Sequence, residues 1–423
     1  MNDQSNPARN AADSGPATGF DIERIRADFP ALSLEVHGKP LVFLDSAASA
    51  QKPRAVIDTM CRVYESEYAN VHRGAYYLSE RATALYEGAR DTLRDFLNAR
   101  DRKEIIFTRN VTEAINLVAR TWGRENLKAG DEIIISEMEH HSNIVPWQML
   151  RDELGLTLKI APVSDDGEFL LDAYKALLTD RTKLVAMTHT SNVLGTVTPA
   201  KEITRLAHDA GAKVLIDGAQ AVVHMPVDVQ DIDCDFYGIT GHKLYGPTGI
   251  GVLYGKEALL DAMPPFLGGG DMISSVSFEK STWAALPAKF EAGTPAIVQA
   301  IGLAAAVDYM TGLGLENIAA HERDLLTYAT QRLASIDGLR LIGTAPNKAA
   351  VVSFAMEAAH AHDISTIIDR AGVAIRAGHH CAEPLMNRMG VTATARASFG
   401  LYNTRAEADT LVQALETVQE IFG

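Results

Sequence analysis

The feature that most constrains the fold is an alternation of short apolar segments with helical patterns in the first half of the chain. Segments with the character of β-strands occur at residues 104–108, 132–136, 156–161, 183–189 and 213–217, and helical patterns fill the gaps between them. This alternation is typical of a mostly parallel sheet with helices on both faces. In such sheets ligands bind at the carboxyl ends of the strands. We therefore predict an α/β fold with its functional site along that edge.

Polar residues stand where these strands end. They are Thr112 after the first strand, His140 and His141 after the second, Asn192 after the fourth, and Asp217 and Gln220 at the fifth. Thr112 opens a predicted helix at 111–122, where free N–H groups and the helix dipole favour a phosphate. Each residue alone also has a structural explanation, such as an N-cap for Thr112. Their common placement indicates a binding site.

The stretch 236–249 carries the most informative chemistry. Its strand pattern ends in Thr240, His242 and Lys243, followed by a turn rich in glycine and proline. The amine of Lys243 can form an imine with an aldehyde, and Thr240 and His242 can hold an anionic group beside it. An exposed lysine in a solvated turn is the simpler alternative. Asp217, 26 residues earlier, argues against it, because a pyridinium nitrogen needs such a carboxylate. The pattern predicts an enzyme that uses pyridoxal 5′-phosphate (PLP).

Four segments carry a resemblance to a known family. They are residues 138–141 (MEHH), 217–220 (DGAQ), 240–247 (TGHKLYGP) and 376–382 (RAGHHCA). With them the chain resembles the class V aminotransferase-fold PLP enzymes, which have fold type I, and specifically the group II cysteine desulfurases of the SufS type. The GHHCA run is the most specific of the four, because it separates group II from group I. The resemblance extends from about residue 21 to the C-terminus.

The resemblance implies roles around the cofactor. Lys243 would hold PLP as an imine, Asp217 would keep the ring nitrogen protonated, and Gln220 would hydrogen-bond the ring 3′-oxygen. His140 would stack over the ring and exchange protons with the substrate. A lone histidine is more often structural, and two adjacent histidines can bind a metal. No other ligands with zinc spacing accompany them, so we expect no metal.

The resemblance also implies a nucleophile, Cys381. A free cysteine inside a core is usually inert, but Cys381 lies in a polar turn, 378–384, that no core would choose. Arg396, helped by Asn192, offers a fork of donors for the substrate carboxylate, and Arg376 also lies near the substrate. The implied reaction converts L-cysteine into alanine and leaves a persulfide on Cys381. A sulfur acceptor of the SufE or SufU kind would then supply iron–sulfur cluster assembly.

Other functions fit part of the same pattern. A selenocysteine lyase, acting on L-selenocysteine, or a cysteine sulfinate desulfinase would use nearly the same site. An aminotransferase would not need Cys381. A non-catalytic scaffold subunit of a cluster-assembly complex would need none of Lys243, Asp217, His140 and Cys381. The presence of all four favours the cysteine desulfurase.

Two residues outside the main motifs indicate a homodimer. Arg73 lies in a polar loop at 70–74, and Thr294 lies in a Gly-Thr-Pro turn. By resemblance both reach the site of the neighbouring subunit, where Thr294 would contact the phosphate. An N-cap before a proline explains Thr294 equally well, and Arg73 can instead close the dimer without touching the ligand.

The chain divides into two predicted domains. Residues 21–310 would form a large PLP-binding domain with a mostly parallel seven-stranded sheet, and the first helix would pack on the small domain. Residues 311–423 would form a smaller α+β domain that carries the Cys381 turn. Its predicted strands are 339–342, 350–356, 373–376 and 396–401, followed by a helix at 405–421. Residues 1–20 would be a disordered tail.

Composition limits the possible partners and cellular compartment of the protein. A net charge of −15 argues against nucleic acid or an anionic membrane as a partner. The sequence contains no run of about 18 apolar residues, so we expect no membrane span. The cysteines Cys61, Cys234 and Cys381 are too few and too uneven for a disulfide framework, which suits a reducing compartment. The N-terminus lacks the apolar core of a signal peptide. We expect a cytoplasmic enzyme.

Overall fold

The computed structural model describes residues 20–422. The tail predicted at 1–20 lies, apart from Phe20, outside the described residues.

The helices of the described residues follow in chain order. They are α1 (Ile22–Ala27), α2 (Arg54–Arg62), α3 (Tyr77–Leu97), α4 (Val111–Val118), α5 (Arg124–Asn126), α6 (Val145–Leu154), α7 (Leu171–Leu177), α8 (Ala200–Asp209), α9 (Ala221–His224), α10 (Val229–Ile232), α11 (Glu257–Ala262), α12 (Ile297–Leu313), α13 (Leu315–Ala334), α14 (Ala361–Asp369), α15 (Glu383–Arg388) and α16 (Arg405–Phe422).

The strands are numbered in the same way. They are β1 (Glu35–Val36), β2 (Lys39–Pro40), β3 (Val42–Phe43), β4 (Ile105–Thr108), β5 (Glu132–Ser136), β6 (Thr157–Ala161), β7 (Thr182–Thr188), β8 (Lys213–Asp217), β9 (Phe236–Thr240), β10 (Gly251–Gly255), β11 (Ile273–Val276), β12 (Ser281–Trp283), β13 (Leu339–Ile342), β14 (Val351–Met356), β15 (Val373–Ala374), β16 (Arg376–Gly378) and β17 (Thr394–Ser398).

A seven-stranded sheet forms the centre of the molecule, in the order β4-β10-β9-β8-β7-β5-β6. Strands β5, β6, β7, β8 and β9 pair in parallel, whereas β10 runs antiparallel to both of its neighbours. The predicted α/β fold with a mostly parallel seven-stranded sheet is confirmed. The antiparallel strand β10 had no prediction of its own.

Alternate residues of each central strand enter different cores, because successive side chains of a strand point to opposite faces. In β8, Val214 and Ile216 belong to one buried apolar cluster, together with much of α12. Leu215 belongs to a second cluster, with residues of α4 and α6. Both faces of the sheet are therefore covered by helices, and its central strands are mostly apolar.

A second, four-stranded antiparallel sheet, β13-β14-β17-β16, lies in the C-terminal part of the chain. Phe354 of β14 and Ala397 of β17 share an apolar core with residues of α13, α14 and α16. Strand β3, near the start of the chain, pairs in parallel with β15, so that Val42 lies opposite Val373. Helix α1 also approaches this region, where Arg26 forms an ion pair of 3.0 Å with Glu407.

The structure corrects two local expectations. The strand predicted at 396–401 is β17, and the backbone turns after it at residues 401–402. The strand predicted at 373–376 is divided into β15 and β16, which pair with different partners. Residues 268–283 contain a two-stranded hairpin of β11 and β12.

No single helix among the described residues is long and apolar enough to cross a membrane. Helices α12 and α13 reach that length and apolar character only when taken together, and they are bent by 77° at their junction.

Candidate active site

A cavity of about 260 Å³ lies at the carboxyl ends of β4, β5, β7, β8 and β9, and residues of β16 and β17 also line it. Ala47 and Ala48, which follow β3, line it as well. The structure brings together most of the predicted site residues around it, namely Thr112, His140, Asn192, Asp217, Gln220, Thr240, His242, Lys243, Arg376, Cys381 and Arg396. The parallel strands explain this convergence, because their carboxyl ends meet along one edge of the sheet.

Thr294 and Arg73 do not line this cavity. Thr294 is exposed, and Arg73, 64% exposed, forms an ion pair of 3.0 Å with Asp271. Arg73 instead lines a separate cavity of about 220 Å³ together with Gly293 and Pro295, the neighbours of Thr294. These two residues are thus close to one another and apart from the cavity of their own chain.

Lys243 lines the cavity and lies in the turn after β9. The residue is partly exposed, yet burial of its amine lowers the pKa to about 8, while the charge of Asp217 acts in the opposite direction. Gly241 makes the tight turn possible, because a Cβ atom there would lie 2.9 Å from the carbonyl oxygen of Pro247. The arrangement presents an amine that is easily deprotonated near neutral pH.

Asp217 ends β8 and is buried. Its carboxylate accepts a hydrogen bond of 3.0 Å from the N–H of Ala219. Burial raises the pKa of the Asp217 carboxyl, and the charge of Lys243 partly offsets this. The next residue must be glycine, since a Cβ at Gly218 would lie 1.9 Å from the Tyr237 ring. Gln220 donates from its amide nitrogen to the carbonyl of Ala47 at 2.8 Å.

His140 forms the turn after β5. Its Nδ1 accepts a hydrogen bond from the N–H of Ser142 at 3.1 Å, which fixes the ring. Burial, followed by the charge of Lys243, lowers the pKa of His140 to about 3. The imidazole is therefore neutral at physiological pH, with Nδ1 as the acceptor in this contact.

Glu139, directly before His140, was not predicted. It is fully buried, and its carboxylate accepts from the Asn143 amide at 2.7 Å and from the Thr188 N–H at 2.9 Å. Burial raises the pKa of Glu139 to about 7. By tying the end of β5 to the end of β7, it supports the turn that carries His140. An acid between an apolar strand and two histidines was the signal available in the sequence.

The Cys381 turn lies between β16 and α15 and is attached to the large sheet by hydrogen bonds. The N–H of His141 donates to the Cys381 carbonyl at 2.7 Å, and the N–H of Glu383 donates to Nε2 of His141 at 3.0 Å. Asn192 donates from its amide to the carbonyl of His380 at 2.8 Å. The predicted substrate ligand Asn192 thus also holds the turn.

The backbone of this turn is strained. His380 and Cys381 have φ values of 53° and 55°, in the left-handed region that non-glycine residues rarely adopt. Such conformations cost about 1–3 kcal/mol each and persist where the surroundings enforce them. Cys381 is exposed, like Cys61 and unlike the buried Cys234. The surrounding contacts therefore keep the turn in a strained conformation that places an accessible thiol at the cavity.

Arg376 and Arg396 lie directly opposite each other on β16 and β17. Arg396 is only 2% exposed and donates from Nη1 to the carbonyl of Asn192 at 2.9 Å. Burial lowers the pKa of Arg396 to about 10, which still leaves it charged at neutral pH. Asp45, which was not predicted, forms ion pairs with Arg376 at 2.9 Å and with Arg396 at 3.2 Å.

The residues present fit PLP. Several buried polar atoms that belong to cavity-lining residues have no hydrogen-bond partner among the described residues, namely Oγ1 of Thr190, Oγ1 of Thr240, Nδ1 of His380 and Nε of Arg396. Buried polar groups are rarely left unpaired, so their concentration here indicates a polar ligand. The start of α4, with Thr112, offers a place for a phosphate. Lys243 and Asp217 supply the amine and the acid that the cofactor needs.

Among residues 20–422, no cluster of His, Cys, Asp or Glu side chains could hold a metal ion.

Comparison with known proteins places the chain in a family. The family described as aminotransferase class-V matches residues 42–411. The chain belongs to this family, whose members use PLP.

Individual relatives show to which group within this family the chain is most similar. A cysteine desulfurase of Synechococcus elongatus is 53% identical over 98% of this chain, which spans 66% of that relative's length. A cysteine desulfurase of Escherichia coli is 52% identical over 96% of this chain and its own full length. The crystal structure of the cysteine desulfurase CsdA of Escherichia coli superimposes with a TM-score of 0.89, at 42% identity, covering 96% of this chain and all of that one. Within its family the chain therefore groups with the PLP-dependent cysteine desulfurases.

Proposed function

We propose that this protein transfers the sulfur of L-cysteine to Cys381 and releases alanine, as a desulfurase of the group II, SufS type. One observation carries the proposal. The exposed thiol of Cys381 and the amine of Lys243 line the same cavity, and the buried guanidinium of Arg396 lines it with them.

Different residues of the chain have different roles in this reaction. PLP held by Lys243 supplies the electron sink for the substrate α-carbon. Asp217, as a buried acceptor, would hold a proton on the ring nitrogen. With a pKa near 8, the Lys243 amine can take and return a proton close to neutral pH. The neutral His140 offers a second proton carrier at the cavity wall.

Arg396 and Cys381 act on the substrate itself. Arg396, charged and immobilised by Asn192, is suited to bind the substrate carboxylate. The Cys381 sulfur attacks the substrate sulfur, so that a sulfur–sulfur bond forms while the carbon–sulfur bond breaks. The electron pair of the broken bond stays with the carbon, which takes up a proton and becomes the methyl group of alanine. Thiol and L-cysteine thereby yield persulfide and alanine, with no other reactant.

A homodimer is the assembly that we propose. Arg73 and Thr294 lie next to each other but outside the cavity of their own chain. The hairpin of β11 and β12 also exposes apolar side chains, with Phe278 fully exposed and Trp283 49% exposed. A second copy of the chain would cover these residues and let Arg73 and Thr294 reach its PLP site.

The sulfur would pass to an acceptor protein of the SufE or SufU kind, for iron–sulfur cluster assembly in the cytoplasm. The exposure of Cys381 supports such a hand-over, and the unpaired state of the three cysteines suits a reducing compartment. Addition of a purified acceptor of either kind should raise the rate of alanine release, and fractionation of cells should recover the protein with the cytoplasm.

Cys381→Ala tests the central claim, with Cys61→Ala as the matched control because both thiols are exposed. We expect Cys381→Ala to lose L-cysteine turnover by about a thousandfold, through kcat rather than KM. L-cysteine should still change the absorption of the bound cofactor, because Lys243, Asp217 and His140 are intact.

Mass spectrometry of the wild-type protein after L-cysteine should place an added sulfur on the Cys381 peptide. Normal turnover in Cys381→Ala, or an added sulfur on Cys61 or Cys234, would refute the proposal.

A further inference from the structure

Asp45 stands behind the two arginines of the cavity. Arg376 and Arg396 both line the cavity, whereas Asp45 is not among the described residues that do. Its carboxylate accepts from Nε of Arg376 at 3.1 Å, from Nη2 of Arg376 at 2.9 Å and from Nη2 of Arg396 at 3.2 Å. One carboxylate that does not line the cavity thus binds both guanidinium groups.

The pairing of the strands makes this counter-charge necessary. Arg376 of β16 is the cross-strand partner of Arg396 in β17, and like charges in directly opposed positions destabilise a sheet. Asp45 reaches the pair because it follows β3 and forms a parallel bridge with Ser398. Its charge reduces that of the arginine pair from two to one.

The hydrogen bonds of Asp45 to the two arginines differ. The edge of Arg376 formed by Nε and Nη2, which could bind a carboxylate or sulfinate with two hydrogen bonds, is occupied by Asp45. Arg396 gives only Nη2 to Asp45 and Nη1 to Asn192, and its Nε has no partner among the described residues. Arg396 therefore keeps an N–H available for an anionic group of a substrate, whereas the Nε–Nη2 edge of Arg376 is engaged by Asp45.

We propose that Asp45 is a positioning residue that sets substrate specificity. By holding Arg376 it favours amino acids with one anionic group, such as L-cysteine, over those with a second one on the side chain, such as L-cysteine sulfinate. This inference rests on the proposed function and adds to it the residue that separates the two substrates.

Neutral replacements of Asp45 test the inference. Asp45→Asn and Asp45→Ser both release Arg376, and either variant that folds can carry the test. We expect kcat/KM for L-cysteine sulfinate to rise relative to that for L-cysteine by about fivefold or more, since the counter-charge that engages Arg376 and Arg396 is removed. The change should lie mainly in KM.

Two controls separate specificity from structure. Asp45→Glu keeps the carboxylate and should keep the wild-type ratio of the two substrates. Asp324→Asn removes another aspartate that forms an ion pair with an arginine, Arg405, outside the cavity lining, and should also keep that ratio. The double variant Asp45→Asn/Arg376→Gln should lose the gain for sulfinate, because the gain requires the freed Arg376.

A binding experiment makes the test independent of desulfuration. L-alanine and L-aspartate are titrated against the absorption of the cofactor in the holoenzyme, and the affinity for L-aspartate, with its second carboxylate, should rise relative to that for L-alanine in the neutral variants. If neither ratio changes, or both substrates lose activity by the same factor, Asp45 is only structural and the inference is wrong. Failure of the wild type to release alanine from L-cysteine would refute the proposed function, while the titration would still decide the role of Asp45.

Discussion

The cofactor-free protein should become more stable when Lys243 loses its charge. Burial lowers the pKa of the Lys243 amine from 10.5 to about 8 in the folded chain, whereas an unfolded chain leaves it at its ordinary value. Between those two values the unfolded state binds more protons than the folded state, so stability rises with pH in that window. Below about pH 8 both states are protonated and the full penalty is present.

The size of the effect follows from the same values. At about 1.4 kcal/mol for each unit of pKa, a fall from 10.5 to about 8 corresponds to about 3 kcal/mol of stability lost at pH 7. Access from the cavity weakens this penalty, and removal of the ammonium takes away the charge that lowers the pKa of Asp217. We therefore expect Lys243→Met to raise the free energy of unfolding by about 2 kcal/mol at pH 7. Methionine keeps the length of the side chain and adds no strain.

Chemical denaturation of the cofactor-free proteins at pH 7 and pH 10 measures this difference. Lys201→Met is the control, because Lys201 is an exposed lysine, 67% accessible, on α8. The gain from Lys243→Met should be present at pH 7, should fall towards zero near pH 10, and should be absent in Lys201→Met. An equal or lower stability of Lys243→Met at pH 7, or a gain that does not depend on pH, would show that the amine is not destabilised in the fold.

Two further predictions concern the holoenzyme. Asp217→Asn keeps the shape of the side chain but cannot hold a proton on the ring nitrogen, so alanine release should fall by about a hundredfold or more; near-normal turnover would mean that another acid performs this role. Sedimentation should show a dimer, and a mixture of Lys243→Ala and Arg73→Ala proteins that exchange subunits should regain activity lost in each alone; a fully active monomer would refute the shared site.

The sequence was sufficient for the parallel sheet and for the residues at its edge because both depend on local patterns. An apolar run followed by a polar residue, as at Asp217 and Thr240, is visible within a few positions, and the parallel sheet then brings such ends together. The antiparallel strand β10 was not predicted. A five-residue apolar segment also does not indicate in which direction such a strand runs. Direction is decided by pairing with β4 and β9.

Asp45 and the conformation of the Cys381 turn depend on distant contacts. Asp45 and Arg376 are separated by 331 residues, and a small-residue turn after a short strand gives no sign of the arginine pair. The left-handed backbone at His380 and Cys381 is equally hidden, since neither residue favours it. The loops of the large sheet enforce it through His141 and Asn192, which are far away along the chain.

The site is therefore built from both ends of the chain as well as from the central sheet. Because β3 pairs with β15, the start of the chain delivers Asp45 to the arginine pair and Ala47 to the amide of Gln220. The Cys381 turn is attached to the large sheet by one backbone hydrogen bond from His141 and by the side chains of Asn192 and His141. The position of the Cys381 thiol relative to Lys243 therefore depends on these contacts between the turn and the large sheet. It follows that changes at residues 42–45 should alter substrate handling while leaving the residues that hold PLP in place.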